Sequence, residues 1–136
     1  VVSGQTVRRA VKAALEADGV LPTGWRVVLD TSPPKHARTL QVGHAERITP
    51  DAYRAYAMVL VLTLWVDEAD SNAAVDELYA LLSPGPQSIL AALLRASTFE
   101  LAGQIDAGDI GPREQASTTF LAADIRLPVI VPMEAS

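Results

Sequence analysis

Tyr53-Arg54-Ala55-Tyr56-Ala57-Met58-Val59-Leu60-Val61-Leu62-Thr63-Leu64-Trp65-Val66 is the longest apolar run in the chain, and its conformation decides the architecture. From Val59 onward it holds only Val, Leu, Thr and Trp. Val, Thr and Trp favour a pleated, buried surface. Val59, Val61, Thr63 and Trp65 alternate with Met58, Leu60, Leu62, Leu64 and Val66. Both faces are therefore apolar, as in a strand covered on both sides. The competing reading is a helix started by Thr49 as N-cap with Pro50 in the first helical position. The run has no polar face at the helical period, which argues against a surface helix. It is also shorter than the ~20 residues of a membrane span. The expectation is a central sheet strand, preceded by one helical turn or a plain turn at Thr49–Ala52.

The elements before the run are shorter. Ser3 to Ala17 reads as a helix with Val7, Ala10, Val11, Ala14 and Leu15 on one stripe. Arg8, Arg9, Lys12 and Glu16 are expected on its solvated side, and Asp18-Gly19 supplies a stop. Trp25 to Asp30 reads as a strand ended by the loop containing Pro33-Pro34, since prolines cannot donate to a ladder. Thr39 to Arg47 is a weaker strand with Leu40, Val42, His44 and Glu46 on one face, able to pair antiparallel with the central strand. Gly43 in its middle signals a bulge.

Beyond the run, Asp67, Glu68 and Asp70 precede a helix read at Ser71 to Leu82, with Val75, Leu78, Tyr79 and Leu82 as its apolar stripe. Negative charge suits a helix start, so these acids need no cation, although oxygen ligation of a divalent ion is the sharper alternative. A short helix follows from Gln87 to Arg95, burying Ile89, Leu90, Leu93 and Leu94. Thr98 to Asp106 alternates as a strand, Ala107 to Ala116 reads as a long loop, and Thr118 to Leu127 reads as the last strand. Pro128 suits a strand end or edge, with Val129-Ile130-Val131 as a continuation past a bend. Residues 132–136 are expected to be a mobile tail. The fold class expected is α+β: one mostly antiparallel sheet of about five strands with helices on one face, in a single domain over residues 1–136.

Composition excludes several function classes. The 136 residues contain no cysteine, which removes disulfides, zinc–thiolate sites and thiol nucleophiles. A net charge of −5 and a pI near 4.9 argue against a simple nucleic-acid binder. No signal-peptide pattern is visible, and synthesis in a cytoplasm is expected. His36 and His44 stand eight apart and match no compact metal pair. There is no nucleophile elbow and no phosphate-cradling glycine loop. No cofactor and no catalytic residue are assigned. Asp106 and Asp109 read as turn chemistry.

The chain resembles the tail terminator proteins of long-tailed phages with non-contractile tails. The resemblance rests on the opening helix Thr6-Val7-Arg8-Arg9-Ala10-Val11-Lys12-Ala13-Ala14-Leu15 and on the central strand from Tyr53 to Val66. It extends to the helix Ala74-Val75-Asp76-Glu77-Leu78-Tyr79-Ala80-Leu81-Leu82 and to closing strands from Phe99 and from Phe120. Together these cover about residues 4 to 131. The resemblance implies a structural virion protein that forms a homo-oligomeric ring, a hexamer, at the head-proximal end of the tail. Such a ring stops growth of the tail tube protein and receives the head connector. DNA passes through its channel without sequence-specific contact, and no membrane is involved. A ring needs two complementary patches per subunit. The loops Thr31–Arg38 and Ala107–Ala116 are expected to supply them, through Pro33, Lys35, His36 and Arg38 and through Asp106, Asp109, Arg113 and Glu114. Another adaptor of the head–tail junction is the first alternative. A small ligand-binding or enzymatic domain is the second, and it would need a concave pocket with convergent polar groups.

Overall fold

The computed structural model describes residues 4–16, 21, 24–29, 38–51, 55–67, 72–82, 89, 92–93, 100–115 and 118–132. The elements in order are α1 (Gly4–Glu16), β1 (Arg26–Val28), β2 (Arg38–Asp51), β3 (Ala55–Val66), α2 (Asn72–Leu82), β4 (Glu100–Leu101), β5 (Asp106–Gln115) and β6 (Thr118–Pro132). The strands form one sheet in the order β1-β2-β3-β6-β4, with β5 also paired to β6. β1 is parallel to β2, and every other pairing is antiparallel.

This corrects the expected fold class. The chain is dominated by a mixed sheet, with six strands among the described residues, rather than by about five mostly antiparallel ones. Two local readings account for the difference. Ala107–Ala116 is not a loop: Asp106–Gln115 is a strand that pairs with β6 and joins it through residues 116–117 alone. Of the strand read at Thr98 to Asp106, Glu100–Leu101 is a strand and the chain bends at Ala102 and Gly103, while Thr98 and Phe99 lie outside the described residues.

Pro128 explains why β4 does not run on past Leu101. In an antiparallel strand the N–H and C=O of one residue point to the same side. The Pro128 carbonyl accepts from the Ala102 amide at 3.0 Å, so its nitrogen also faces β4. Proline cannot return the second bond of that pair, and the ladder stops there. The missing donor falls away from β3, so the long β3–β6 ladder from Ala55–Pro132 to Val66–Leu121 is spared. Pro128 therefore sits inside a 15-residue strand, which runs on through Val129-Ile130-Val131.

The expected helical or plain turn at Thr49–Ala52 is also corrected. Thr49, Pro50 and Asp51 continue β2 and pair with Ala57, Tyr56 and Ala55. The polar capping pattern is overridden because β3 presents its whole length to a partner. In β2 the register slips between Val42 and Ala45, placing a bulge at Gly43, and again between Ala45 and Arg47, at Glu46. Ala45 then packs toward the core, while His44 and Glu46 are exposed instead of continuing the Leu40–Val42 face.

One face of the sheet carries the core. Leu40, Val42, Met58, Leu60, Leu62, Leu64, Val66, Leu121, Ala123, Ile125, Leu127, Val129 and Val131 are buried there. α1 adds Val7, Val11 and Leu15; α2 adds Ala74, Leu78 and Leu81; Ile89, Ala92 and Leu93 complete it. The buried stripe of α2 is thus rotated from the expected one, and Tyr79 is 60% exposed. Leu78→Ala should cost about 2–4 kcal/mol in denaturant unfolding, whereas Tyr79→Ala should stay within about 0.5 kcal/mol of wild type.

Arg8, expected on the solvated side of α1, is buried at 7% exposure. Its Nε donates to the Gly43 carbonyl at 3.0 Å, and one terminal nitrogen donates to Val42 O at 2.9 Å and Leu29 O at 2.8 Å. The other donates to Gln5 Oε1 at 2.7 Å. Desolvation pushes its pKa down from the ordinary arginine value. The guanidinium stays charged nonetheless, since arginine does not deprotonate in proteins. Arg8 occupies the place a longer β1 would take beside the β2 bulge, and it tethers α1 there.

Candidate interaction surface

The second face of the sheet is covered only in part. Trp65, Phe120 and Ala122 form a small buried cluster to which no described helix contributes. The Trp65 and Phe120 rings meet edge to face, with centroids 5.7 Å apart, and Trp65 Nε1 donates to Gln41 Oε1 at 3.3 Å. Toward the other end of β3, Val59 and Val61 are half-buried, so the expectation of cover along both faces fails there. Between these regions, Asp124 accepts two bonds from Arg113, at 2.8 and 2.9 Å, and one from the Thr63 hydroxyl at 3.0 Å. The fork-to-carboxylate geometry fixes β5 on β6 and aligns both with β3.

Past Arg113 and Asp124, an open groove of about 440 Å³ is lined by Glu46, Val59, Gln104, Asp106, Arg126 and Pro128. Arg126 Nε donates to Glu46 Oε2 at 3.2 Å across it. Among the described residues, no cluster of His, Cys, Asp or Glu could hold a metal ion. No buried side-chain nitrogen or oxygen there lacks a hydrogen-bond partner.

The lateral edges of the sheet are the other exposed features. β1 covers β2 only from Thr39 to Gln41. Beyond the carbonyls held by Arg8, the outer side of β2 has no strand partner among the described residues. β4 and β5 share the opposite edge, along β6, and β5 is interrupted by a register shift between Gly108 and Gly111 and carries Pro112. Charge, proline and bulges are the usual means of keeping an edge from pairing indiscriminately.

The residues expected from sequence to make contacts are thereby placed differently. Pro33, Lys35 and His36 lie outside the described residues. Arg38 starts β2, where its Nε donates to Glu77 at 2.8 and 2.9 Å. Glu77 also accepts from Trp25 Nε1 at 2.9 Å, so this group anchors α2 to the sheet. Asp106, Asp109, Arg113 and Glu114 are on a strand, not a loop. Arg113 is committed to Asp124, while Asp106 and Glu114 are exposed. Of the acids before α2, Asp67 is exposed and the other two lie outside the described residues. Sequence reasoning missed Asp124 and Arg126, whose alternation along an apolar strand was the available signal.

No protein-family model matches the chain. No curated protein matches it either. A solved structure known only by a serial designation aligns over 98% of this chain and 99% of its own, with a TM-score of 0.50 and 16% identity. At that identity the likeness concerns the fold alone. Among the described residues, no helix is long and apolar enough to cross a membrane.

Proposed function

We propose that this chain is a structural subunit of a phage virion: a tail terminator that assembles as a ring on the head-proximal end of a non-contractile tail tube. The reading starts from the resemblance of the opening helix, the central strand and the following helix. The structural observation that supports it is the pair of unlike lateral edges, β2 with β1 on one side and β5 on the other. A cyclic ring uses two different, complementary patches on each subunit, whereas a two-fold dimer uses one patch twice. The partners are a second copy of the chain, the tube protein below and a connector protein above. The site is the virion tail, reached from the host cytoplasm.

The test has two parts. Native mass spectrometry and negative-stain images of the purified protein should show a closed ring, six-membered by the resemblance, with a central channel. Added to polymerising tail tubes, the protein should hold them at the length reached at the moment of addition. Tubes that keep elongating would overturn the terminator role. Immunogold labelling one layer nearer the head would assign the chain to the junction adaptors instead.

A further inference from the structure

We propose that the groove on the second face of the sheet holds a basic side chain, arginine or lysine, from a protein other than this chain. The proposal goes beyond the ring reading and does not depend on it. The acids of the groove stand on separate walls. Glu46 is on β2 and Asp106 on β5, three strand spacings apart, or roughly 14 Å. Asp106 pairs in register with Arg126, so the two share one face with Val61, the β3 partner of Arg126. That arginine is the natural counterion for the Asp106 carboxylate. It reaches over β3 instead, and its Nε donates to Glu46 Oε2 at 3.2 Å. Asp106 is exposed and makes no hydrogen bond or ion pair with any described residue. Beside it Gln104, also exposed, adds an amide oxygen from the segment that leads from β4 to β5. The floor between the walls is apolar, formed by the register neighbours Val59 and Pro128, both half-buried.

These parts suit a long cationic side chain. Its aliphatic stem lies along Val59 and Pro128, and its head donates to the Asp106 carboxylate and the Gln104 amide oxygen. An anion would face Asp106 and would have to displace Glu46 from Arg126. An apolar side chain would strip water from Asp106 and return no hydrogen bond. The charge balance points the same way. Glu46 and Asp106 outnumber Arg126 among the lining groups. By register Arg47 and Glu100 stand on the same face, nearer Asp51 and Ala55, and their charges cancel. Those of Arg113 and Asp124 cancel on the other side. The groove thus keeps one negative charge uncompensated among the described residues. The source of the cation follows from the whole chain. At a net charge of −5, copies of this chain repel one another, whereas a basic partner is drawn in.

The experiment titrates the isotope-labelled protein with acetyl-arginine amide and with its neutral isostere acetyl-citrulline amide, following backbone amides by NMR. The arginine probe should move the amides of Gln104, Asp106 and Arg126 with roughly millimolar affinity, more weakly as salt rises. The citrulline probe should leave them in place. Asp106→Asn should weaken arginine binding about fivefold. Glu114→Gln removes the same charge from the opposite face of the same strand, and binding should stay within about twofold of wild type. Both sites are exposed, and an unchanged thermal melt checks that each variant folds. Equal shifts from the two probes, or none from either, overturn the inference. So does arginine binding that Asp106→Asn leaves unchanged or that Glu114→Gln weakens as much. Concentration-dependent shifts of these amides without any probe, abolished by Asp106→Asn, also overturn it, because the groove then belongs to a second copy. If tubes are capped but the arginine probe does not bind, the contact is wrong and the function stands. If the probe binds as expected but tubes keep growing, the contact stands and the function is wrong.

Discussion

Arg8→Leu is expected to lower stability by about 3 kcal/mol, a shift in Tm of roughly 10 °C for a domain of this size. The side chain donates to three backbone carbonyls, Leu29 O, Val42 O and Gly43 O, all between 2.8 and 3.0 Å. Leucine fills part of the volume but leaves those acceptors without a donor in a site that water reaches poorly. An unsatisfied buried polar group costs about 1–3 kcal/mol, more when a charged partner is removed. Three such terms do not add in full, because the strand can shift and admit water. Arg8→Lys separates charge from geometry. It keeps the cation, but its compact ammonium cannot reproduce the planar fork that spans two strands. It should recover only part of the loss. Hydrogen exchange gives a readout that simple core damage would not. The amides of β1 should lose protection well before global unfolding in Arg8→Leu, because β1 is short and Arg8 ties its end to β2.

The same residue shows where sequence reading stops. Val7, Val11 and Leu15 announced the buried stripe of α1, and all three are buried. Arg8 lies beside that stripe, and nothing in a helical wheel distinguishes an arginine facing water from one that caps a strand bulge. The distinction depends on β2, which is 34 residues away in sequence at the contact with Val42. The bulge itself was legible, because glycine inside an alternating strand has few other uses. So was β3, whose inward residues Met58, Leu60, Leu62, Leu64 and Val66 are all in the core.

The illegible part was β5. Its sequence, Asp-Ala-Gly-Asp-Ile-Gly-Pro-Arg-Glu-Gln, has the composition of a loop. It is a strand because β6 offers a long ladder and Asp124 offers a carboxylate to Arg113. An edge strand needs only one paired side and little burial, so local composition says almost nothing about it. The two glycines that suggested a turn mark the bulge between Gly108 and Gly111 instead. Asp106, Asp109, Arg113 and Glu114 were expected as contact residues of a loop, and they stand on a strand instead.

Gly43→Ala should be the most damaging single-methyl change in the sheet, at about 2–3 kcal/mol. A Cβ built at Gly43 would lie 2.6 Å from the Val61 carbonyl oxygen. That neighbour is backbone in the middle of β3, so it cannot swing aside as a flexible side chain would. Either the bulge opens or the β2–β3 ladder parts locally. Both responses move the Gly43 carbonyl that receives Arg8 Nε at 3.0 Å. The two sites therefore share one structural element, and their effects should not add. In a double-mutant cycle, Gly43→Ala combined with Arg8→Leu should fall short of the sum by about 1 kcal/mol, since the second change removes a bond already strained by the first. Gly108→Ala is the control. It sits beside another bulge, but an added Cβ there meets nothing within 4 Å, so its unfolding midpoint should stay close to that of wild type. Equal losses at both glycines would mean that loss of backbone freedom, and not contact with Val61, sets the cost. A loss confined to Gly43 and coupled to Arg8 would establish that the bulge, the helix α1 and the end of β1 are held as one unit.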